Sequence, residues 1–250
     1  MNSKTNRLAA IVMVSIFLIG TSCTQDPGVG GNSHIKGTLV EKYYNNDFTI
    51  FQYEHAASDD DIYILYGDNK EIGDKTTASF AGDFQFQYLW PGDYQLYYYS
   101  DDTTAVTSDK IALSQTISLE KNETFEVGTL YTYKALEWDE GSAQIKGKIM
   151  LINYRNESSY PNLEIKDITP AQEQEVYITY NNATVYTDRI RTQPDGTFEF
   201  NHLLKGNYTI FVYSEDVITG KTAMVTKEVI VEITELNQSV ALETINIEKI

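Results

Sequence analysis

A stretch of 21 residues occurs twice in this chain of 250 residues. The first copy, GDFQFQYLWPGDYQLYYYSDD, spans residues 82–102, and the second, GTFEFNHLLKGNYTIFVYSED, spans residues 196–216. Shorter matches precede each copy, IKGTL at 35–39 with IKGKI at 145–149, and IYILY at 62–66 with VYITY at 176–180. A repeat this long predicts two whole domains rather than small solenoid units.

Apolar and polar residues alternate within both copies, as in FQFQ at 84–87 and FEFN at 198–201. A period of two is typical of a strand with one buried face. Turn residues such as PGD, PDG and KGN recur about every ten residues, and no helical period runs for three turns. The sequence therefore predicts an all-β fold made of two tandem seven-stranded antiparallel β-sandwiches with an Ig-like architecture.

The same alternation predicts which aromatic side chains face outward. If Tyr94, Leu96 and Tyr98 point into the core, their neighbours along the strand point away from it. The residues expected to face outward in the two repeats are Tyr63, Tyr97, Tyr99, Tyr177, Phe211 and Tyr213. An outward aromatic strip can stack on sugar rings or contact a protein partner, so these six are the candidate ligand-binding residues. Cross-strand aromatic pairing, which stabilises a sheet with no ligand, is the alternative.

The N-terminus has the pattern of a secretory signal. Lys4 and Arg7 precede an apolar run at 8–20, which is too short to span a bilayer comfortably. The run ends in GTSC, and Cys23 is the only cysteine in the chain. This ending resembles the lipobox of bacterial lipoproteins, in which the cysteine sulfur receives a lipid. It departs from that pattern at Gly20, where a branched aliphatic residue usually stands.

The lipobox resemblance implies that residues 1–22 are a lipoprotein signal peptide. It also implies that Cys23 attaches the protein to a bacterial envelope membrane, which we expect to be the outer membrane. An ordinary signal peptide cut near Ser22, leaving a free thiol, is the alternative. We expect the rest of the chain to divide into a flexible tether at 23–33, a first sandwich at 34–134, a linker at 135–143 and a second sandwich at 144–250. Trp138 is expected to pack at the junction.

Charge excludes some partners. The chain has 36 acidic and 19 basic residues, a formal net charge of −17. Nucleic acids and anionic membrane surfaces require clustered Lys and Arg, so no nucleic-acid partner is expected. The expected partners are the membrane, through Cys23, and a glycan or protein.

Groups for catalysis are sparse. His34, His55 and His202 stand alone in the sequence, with no metal-ligand spacing or serine motif beside them. No phosphate loop, zinc spacing or dinucleotide fingerprint is present, so no cofactor is expected. Acidic clusters at 59–61, 101–102 and 215–216 have the oxygen ligands that calcium prefers, but we interpret them as solvated strand ends. The sequence therefore predicts no metal, no catalytic residue and no enzymatic activity.

The combined motifs, I-x-G-x-[LI] followed by D-G-x-F-x-F-x-x-L-x-x-G-x-Y-x-[LI], are similar to those of carboxypeptidase regulatory-like and Cna-B-like modules. Those modules share a prealbumin-like (transthyretin-like) sandwich, and the resemblance covers nearly all of residues 35–250. It implies a stalk, spacer, accessory module or adhesive piece, although a fold alone does not assign a function. Some Cna-B-like members form a Lys–Asn isopeptide bond. Lys36 and Lys146 lie on the opening strands, but we expect them to point away from the core.

These observations predict a noncatalytic, lipid-anchored envelope or cell-surface protein that acts as a structural or binding module. The alternative is a glycan-binding or adhesin-type protein that uses its outward-facing aromatic residues.

Overall fold

A computed structural model describes residues 25–104, 109–155, 161–218 and 223–250. Within those ranges the chain forms seventeen strands and no helix, so the all-β prediction is confirmed. No helix in the described part of the chain is long and apolar enough to cross a membrane. Cys23 and the predicted signal peptide lie outside the described residues.

The first repeat contains eight of the strands. They are β1 (Val29–Asn45), β2 (Phe51–Ala56), β3 (Asp61–Tyr66), β4 (Asp74–Thr77), β5 (Asp83–Leu89), β6 (Gly92–Asp101), β7 (Lys110–Leu119) and β8 (Thr124–Leu136). The second repeat contains β9 (Ala143–Tyr154), β10 (Ile165–Pro170), β11 (Glu175–Tyr180), β12 (Asp188–Arg191), β13 (Thr197–Leu203), β14 (Gly206–Glu215), β15 (Met224–Ile233), β16 (Ser239–Ala241) and β17 (Ile245–Lys249).

The opening strand organises one sheet of each repeat. In the first repeat β1 pairs with β2 and β5 on one edge and with β8 on the other, while the second sheet has the order β4-β3-β6-β7. In the second repeat β9 pairs with β10 and β13 on one edge and with β16 and β17 on the other, opposite a sheet of order β12-β11-β14-β15. Strands β16 and β17 thus occupy the place of β8.

Two details differ from the predicted seven-stranded antiparallel sandwiches. The described residues form eight strands in the first repeat and nine in the second. The last strands are also parallel to the opening strand, whereas the other pairs are antiparallel. The reason is the connection at 120–123, where the chain leaves the edge of one sheet at β7 and joins the far edge of β1 in the other sheet.

Each repeat has its own hydrophobic core between its two sheets. The duplicated stretch contributes to both cores as predicted, since Phe84, Phe86 and Leu89 and their counterparts Phe198, Phe200 and Leu203 are at most 3% exposed. Tyr94, Leu96 and Tyr98 are also buried, so the alternation identified the inward face of β6 correctly.

The hairpin inside the duplicated stretch contains one expected and one unexpected backbone feature. Gly92 and Gly206 have φ values of +147° and +149°, in the positive region that favours glycine. Tyr88 and His202, at equivalent positions four residues earlier, also have positive φ, +58° and +60°. The register of pairing with the opening strand shifts there, so both residues lie in a bulge that the regular alternation did not predict.

The predicted domain boundaries require correction at the N-terminal end of each sandwich. Strand β1 begins at Val29, inside the expected tether at 23–33, and Ser33 is fully buried with its hydroxyl donating to Glu120 O at 2.8 Å. Gly31 lies against the carbonyl of Leu89 so closely that a Cβ atom would be 2.0 Å from that oxygen. The backbone therefore packs directly on the end of the hairpin, which a flexible tether would not do.

The expected linker at 135–143 is structured in the same way. Gly141 lies against the carbonyl of Leu203 with the same 2.0 Å approach. Strand β8 continues to Leu136, which is 9% exposed and part of the second core, and Trp138 packs against that core. Residues 29–33 and 139–143 are therefore equivalent parts of the two sandwiches, and the connection between the sandwiches is held against the second core at Leu136, Trp138 and Ala143.

Candidate functional site

The two repeats place the same aromatic cluster on the outer face of their second sheet. The first triad consists of Tyr63, Tyr97 and Tyr99, and the second triad consists of Tyr177, Phe211 and Tyr213. None of the six is buried, whereas their neighbours along the strands are. Period-two alternation accounts for this arrangement, because burying one face of β3 and β6 directs these rings to the other face.

In the first triad the rings of Tyr63 and Tyr97 stack. These residues are directly opposite each other on β3 and β6, with ring centroids 5.0 Å apart and planes 14° apart. Tyr99 meets both rings edge-on, at 5.9 Å from Tyr63 and 6.0 Å from Tyr97. Both geometries are favourable for aromatic pairs, so the rings stabilise the sheet without a ligand.

The second triad repeats this geometry closely. Tyr177 and Phe211 stack at 5.0 Å with planes 10° apart, and Tyr213 meets them edge-on at 5.5 and 5.9 Å. Tyr186 adds a fourth ring, edge-on to Tyr177 at 5.2 Å. The sequence analysis missed Tyr186, because it lies in the connection between β11 and β12, where strand alternation makes no prediction.

An acid and a cation flank each triad at equivalent positions. Lys75 is the cross-strand neighbour of Tyr63, and its Nζ lies 2.9 Å from a carboxylate oxygen of Asp61, which also accepts a hydrogen bond from the Tyr63 hydroxyl at 3.3 Å. In the second repeat Arg189 lies 2.8 Å from Glu175. The Tyr177 hydroxyl donates to Glu175 at 2.6 Å.

These contacts keep both acids charged. The hydrogen bond from Tyr177 and the charge of Arg189 lower the pKa of Glu175, and the hydrogen bonds from Lys75 and Thr77 lower the pKa of Asp61. The pKa of Tyr177 is raised, first by its hydrogen bond to Glu175. At neutral pH the acids are therefore ionised and the phenol is protonated. A general acid or base would instead have a pKa close to the working pH.

The two triads differ in what stands beside them on the edge strand. Tyr97 and Tyr99 are opposite the small residues Ser114 and Ala112 of β7. Phe211 is opposite Glu228 of β15. Tyr213 is opposite Thr226, so the neighbours of the first triad are the smaller of the two sets.

The residues considered for other chemistry lie apart. The His34 ring contacts Tyr88 edge-on at 5.8 Å, the His55 ring contacts Tyr43 at 5.0 Å, and His202 lies in the bulge. Lys36 is paired with Glu126 at 2.8 Å, so it is not placed for an isopeptide bond. Within the described ranges no group of three or more His, Cys, Asp or Glu side chains is arranged to hold a metal ion.

A buried ionic cluster in the first repeat escaped the sequence analysis. Glu41 is 9% exposed and accepts a hydrogen bond from the Tyr43 hydroxyl at 2.6 Å, with Lys134 Nζ at 3.2 Å. Burial alone would raise the pKa of Glu41, but Tyr43 and Lys134 together outweigh burial and lower it. The available signal was alternation, since Glu41 shares the inward face with Leu39, but nothing in the sequence indicated Lys134 as its partner.

We predict that ring stacking contributes measurably to the stability of the first repeat. A double-mutant cycle with Tyr63→Ala and Tyr97→Ala should give a coupling energy of about 0.5 to 1.5 kcal/mol, because each substitution removes the stacking partner of the other. Urea unfolding measures it. The control cycle combines Tyr63→Ala with Tyr88→Ala, which makes no ring contact with Tyr63, and should give a coupling near zero. Equal coupling in both cycles would contradict the prediction.

Comparison with known proteins yields distant structural similarity. No protein-family model and no curated protein matches the sequence. The TIE protein of Bacillus anthracis aligns at 14% identity and a TM-score of 0.30, over 90% of this chain and 35% of its own. A minor pilin of Streptococcus agalactiae aligns at 13% identity and a TM-score of 0.29, over 88% and 97%. A shaft pilin of Lactobacillus rhamnosus GG aligns at 9% identity and a TM-score of 0.23, over 86% and 97%. This chain thus spans about a third of the Bacillus anthracis protein, and its fold class follows from its own strands and cores.

Proposed function

We propose that this protein is a noncatalytic envelope component, anchored by a lipid on Cys23, in which the two sandwiches form a stiff spacer. The observation that carries the proposal is the interface between the repeats, where one side chain of the first sandwich hydrogen-bonds to the backbone of a turn in the second. Two domains joined by a small polar contact are expected to move relative to each other, whereas a buried and hydrogen-bonded junction resists that motion.

The polar part of the junction is a two-point hydrogen bond. Gln52 on β2 is 2% exposed, and its amide nitrogen donates to Lys205 O at 3.1 Å while its amide oxygen accepts from Lys205 N at 2.8 Å. Lys205 lies in the turn of the second copy of the duplicated stretch. Using both ends of one buried amide fixes the orientation of the two sandwiches as well as their distance.

Aromatic packing surrounds this hydrogen-bonded pair. The rings of Tyr43 and Tyr53 stack at 4.6 Å and, with Trp138, pack against the core of the second sandwich. The Tyr180 hydroxyl donates to Lys205 O at 3.1 Å, and burial raises the pKa of Tyr180 to about 12. The phenol therefore stays protonated at physiological pH and remains a donor in the junction.

The anchor is inferred from sequence. The signal-like run at 8–20 and the lipobox-like GTSC support lipidation of Cys23, and with β1 beginning at Val29 only residues 24–28 lie between that cysteine and the first strand. A spacer built this way would begin close to the membrane surface. The net charge of −17 would keep its sides away from anionic headgroups, which suits a body held upright rather than lying flat.

The stiffness of the junction can be tested with Gln52→Ala. Removing this amide leaves Lys205 N without its acceptor, while Lys205 O keeps only the hydrogen bond from the Tyr180 hydroxyl, so the junction should loosen at a cost of about 1 to 3 kcal/mol. Small-angle X-ray scattering should then show a broader distribution of interatomic distances than for the unmodified protein. Gln95→Ala, on the exposed face of β6, is the control and should leave the distribution unchanged. A flexible profile for the unmodified protein would contradict a stiff spacer.

The anchor can be tested with Cys23→Ala. In a bacterial host this variant should lose incorporation of labelled fatty acid and shift from the membrane fraction to the soluble fraction, because the acyl chains supply the membrane affinity. Ser22→Ala keeps the cysteine and should behave like the unmodified protein. Retained label or unchanged fractionation in Cys23→Ala would show that the anchor lies elsewhere.

Glycan binding by the first triad is a second candidate function, favoured by the small side chains of Ser114 and Ala112 opposite Tyr97 and Tyr99. Sugar rings stack on such aromatic faces. If this candidate is correct, Tyr97→Ala should abolish signals on a glycan array, whereas Phe211→Ala, at the equivalent position beside Glu228, should not. Signals that survive Tyr97→Ala would remove the candidate.

A further inference from the structure

The second sandwich contains a groove of about 780 Å³ between the edges of its two sheets. Strands β9 and β13 form one side, β12 faces them, and the residues after β16 close one end. The lining includes Lys146, Lys148, Arg191, Gln193, Glu199 and Asn201. This volume is within the range of known small-molecule sites.

The first sandwich has a groove at the same place, of about 450 Å³. Its charges are compensated within the groove. Lys36 is paired with Glu126 at 2.8 Å, and Thr38 donates to Asp83 at 3.1 Å. With one lysine and two carboxylates, the formal charge of its lining is −1, the same sign as the chain as a whole.

The lining of the second groove has the opposite charge because five positions differ. Four of the differences make the lining more positive, and one, Glu199 in place of Gln85, makes it more negative. Lys148 replaces Thr38, Arg191 replaces Thr77, and Thr197 replaces Asp83. On its parallel side Lys146 is beside Ala241, where Lys36 is beside Glu126. On its antiparallel side Lys146 is opposite Glu199, where Lys36 is opposite Gln85. The lining then has three cations and Glu199, a formal charge of +2. A local reversal of sign in a chain of net charge −17 needs an explanation.

Two of the three cations remain available to a ligand. Arg191 makes ion pairs at the rim with Glu173 at 3.4 Å and Glu175 at 3.6 Å. Lys146 and Lys148 make no ion pair within 4.0 Å in the described parts of the chain. Lys148 does act on Asp195, whose pKa is lowered first by hydrogen bonds from Thr197 and to a smaller extent by the charge of Lys148.

We propose that this groove binds an acidic saccharide, one whose carboxylates are spaced by whole sugar rings. The ammonium groups of Lys146 and Lys148 receive a carboxylate. The exposed amides of Gln193 and Asn201 hydrogen-bond ring hydroxyls, and Ile190 and Leu242 supply an apolar wall for the carbon face of a sugar ring. A uronic acid has a carboxylate for the cations, hydroxyls for the amides and a carbon face for the apolar wall. It therefore matches all three parts of the groove.

The negative net charge of the protein around the groove disfavours the binding of densely charged anions. A nucleic acid carries a phosphate on every residue, and most of it would lie against a surface of negative net charge outside the groove. Glu199 on the groove wall adds a local repulsion to closely spaced anionic groups. An acidic peptide has carboxylates at closer spacing than a polyuronate, and it lacks the hydroxyls that the two amides would satisfy.

The test measures binding of trigalacturonate to the purified full-length protein in detergent, by calorimetry at low salt. The methyl ester of the same trisaccharide keeps the sugar rings and removes the charge. We expect trigalacturonate to bind at least about tenfold more tightly than its ester. Binding should weaken as salt is raised.

The variant Lys146→Gln combined with Lys148→Gln should lower the affinity for trigalacturonate at least about tenfold, with an unchanged circular dichroism spectrum. Lys36→Gln removes the equivalent lysine of the first groove and should leave binding unchanged. The proposal is overturned by absent binding, by equal affinity for acid and ester, or by an equal loss in Lys36→Gln. It is also overturned if hexaglutamate binds more tightly than trigalacturonate, since the groove would then be a site for acidic peptides. None of these outcomes affects the stiffness or the lipid anchor tested above.

Discussion

The opening strand of each repeat is hydrogen-bonded along both edges, and the rest of the sandwich depends on it. Ile35 and Leu39 on β1, and Ile145 and Ile149 on β9, are at most 1% exposed. Pairing with β5 or β13 then holds the duplicated stretch in register, and its hairpin carries the chain into the second sheet. Because a strand buries only one face, the aromatic triads on that second sheet are a consequence of the same packing.

The hairpin turn inside the duplicated stretch is covered by a different segment of the chain in each repeat. In the first, a Cβ atom on Gly92 would lie 2.6 Å from the Pro27 ring, and Gly28 N donates to the Tyr94 hydroxyl at 3.0 Å, so the N-terminal segment covers the turn. In the second, Gln52 of the preceding sandwich occupies the turn. A tandem array can therefore be joined end to end without new secondary structure, since each hairpin turn presents backbone groups that the preceding segment satisfies.

The features shared by both repeats and the features that differ point to separate roles. The stacked rings and their flanking ion pairs, Asp61 with Lys75 and Glu175 with Arg189, occur twice with nearly the same geometry. Because the two sheets are equivalent, a contact that stabilises one of them is expected to occur in both. Of the two equivalent grooves, the one in the second repeat has the cationic lining, and the substitutions there leave both the strands and the core in place. A change confined to surface charge alters which ligands the surface can bind without altering the fold, as ligand recognition in one repeat would require.

The sequence by itself determined the strand class, the two cores and the outward face of the aromatic residues. These follow from local alternation, as Phe84, Tyr94 and Tyr97 illustrate, and alternation needs no knowledge of distant contacts. Only the tertiary structure decided where each sandwich begins, since Gly31 and Gly141 look like tether and linker until the backbone of the hairpin is placed against them. It also decided the partners of Gln52 and Glu41 and the charge of the second groove, because each joins residues that are far apart in the chain and carry no shared local pattern.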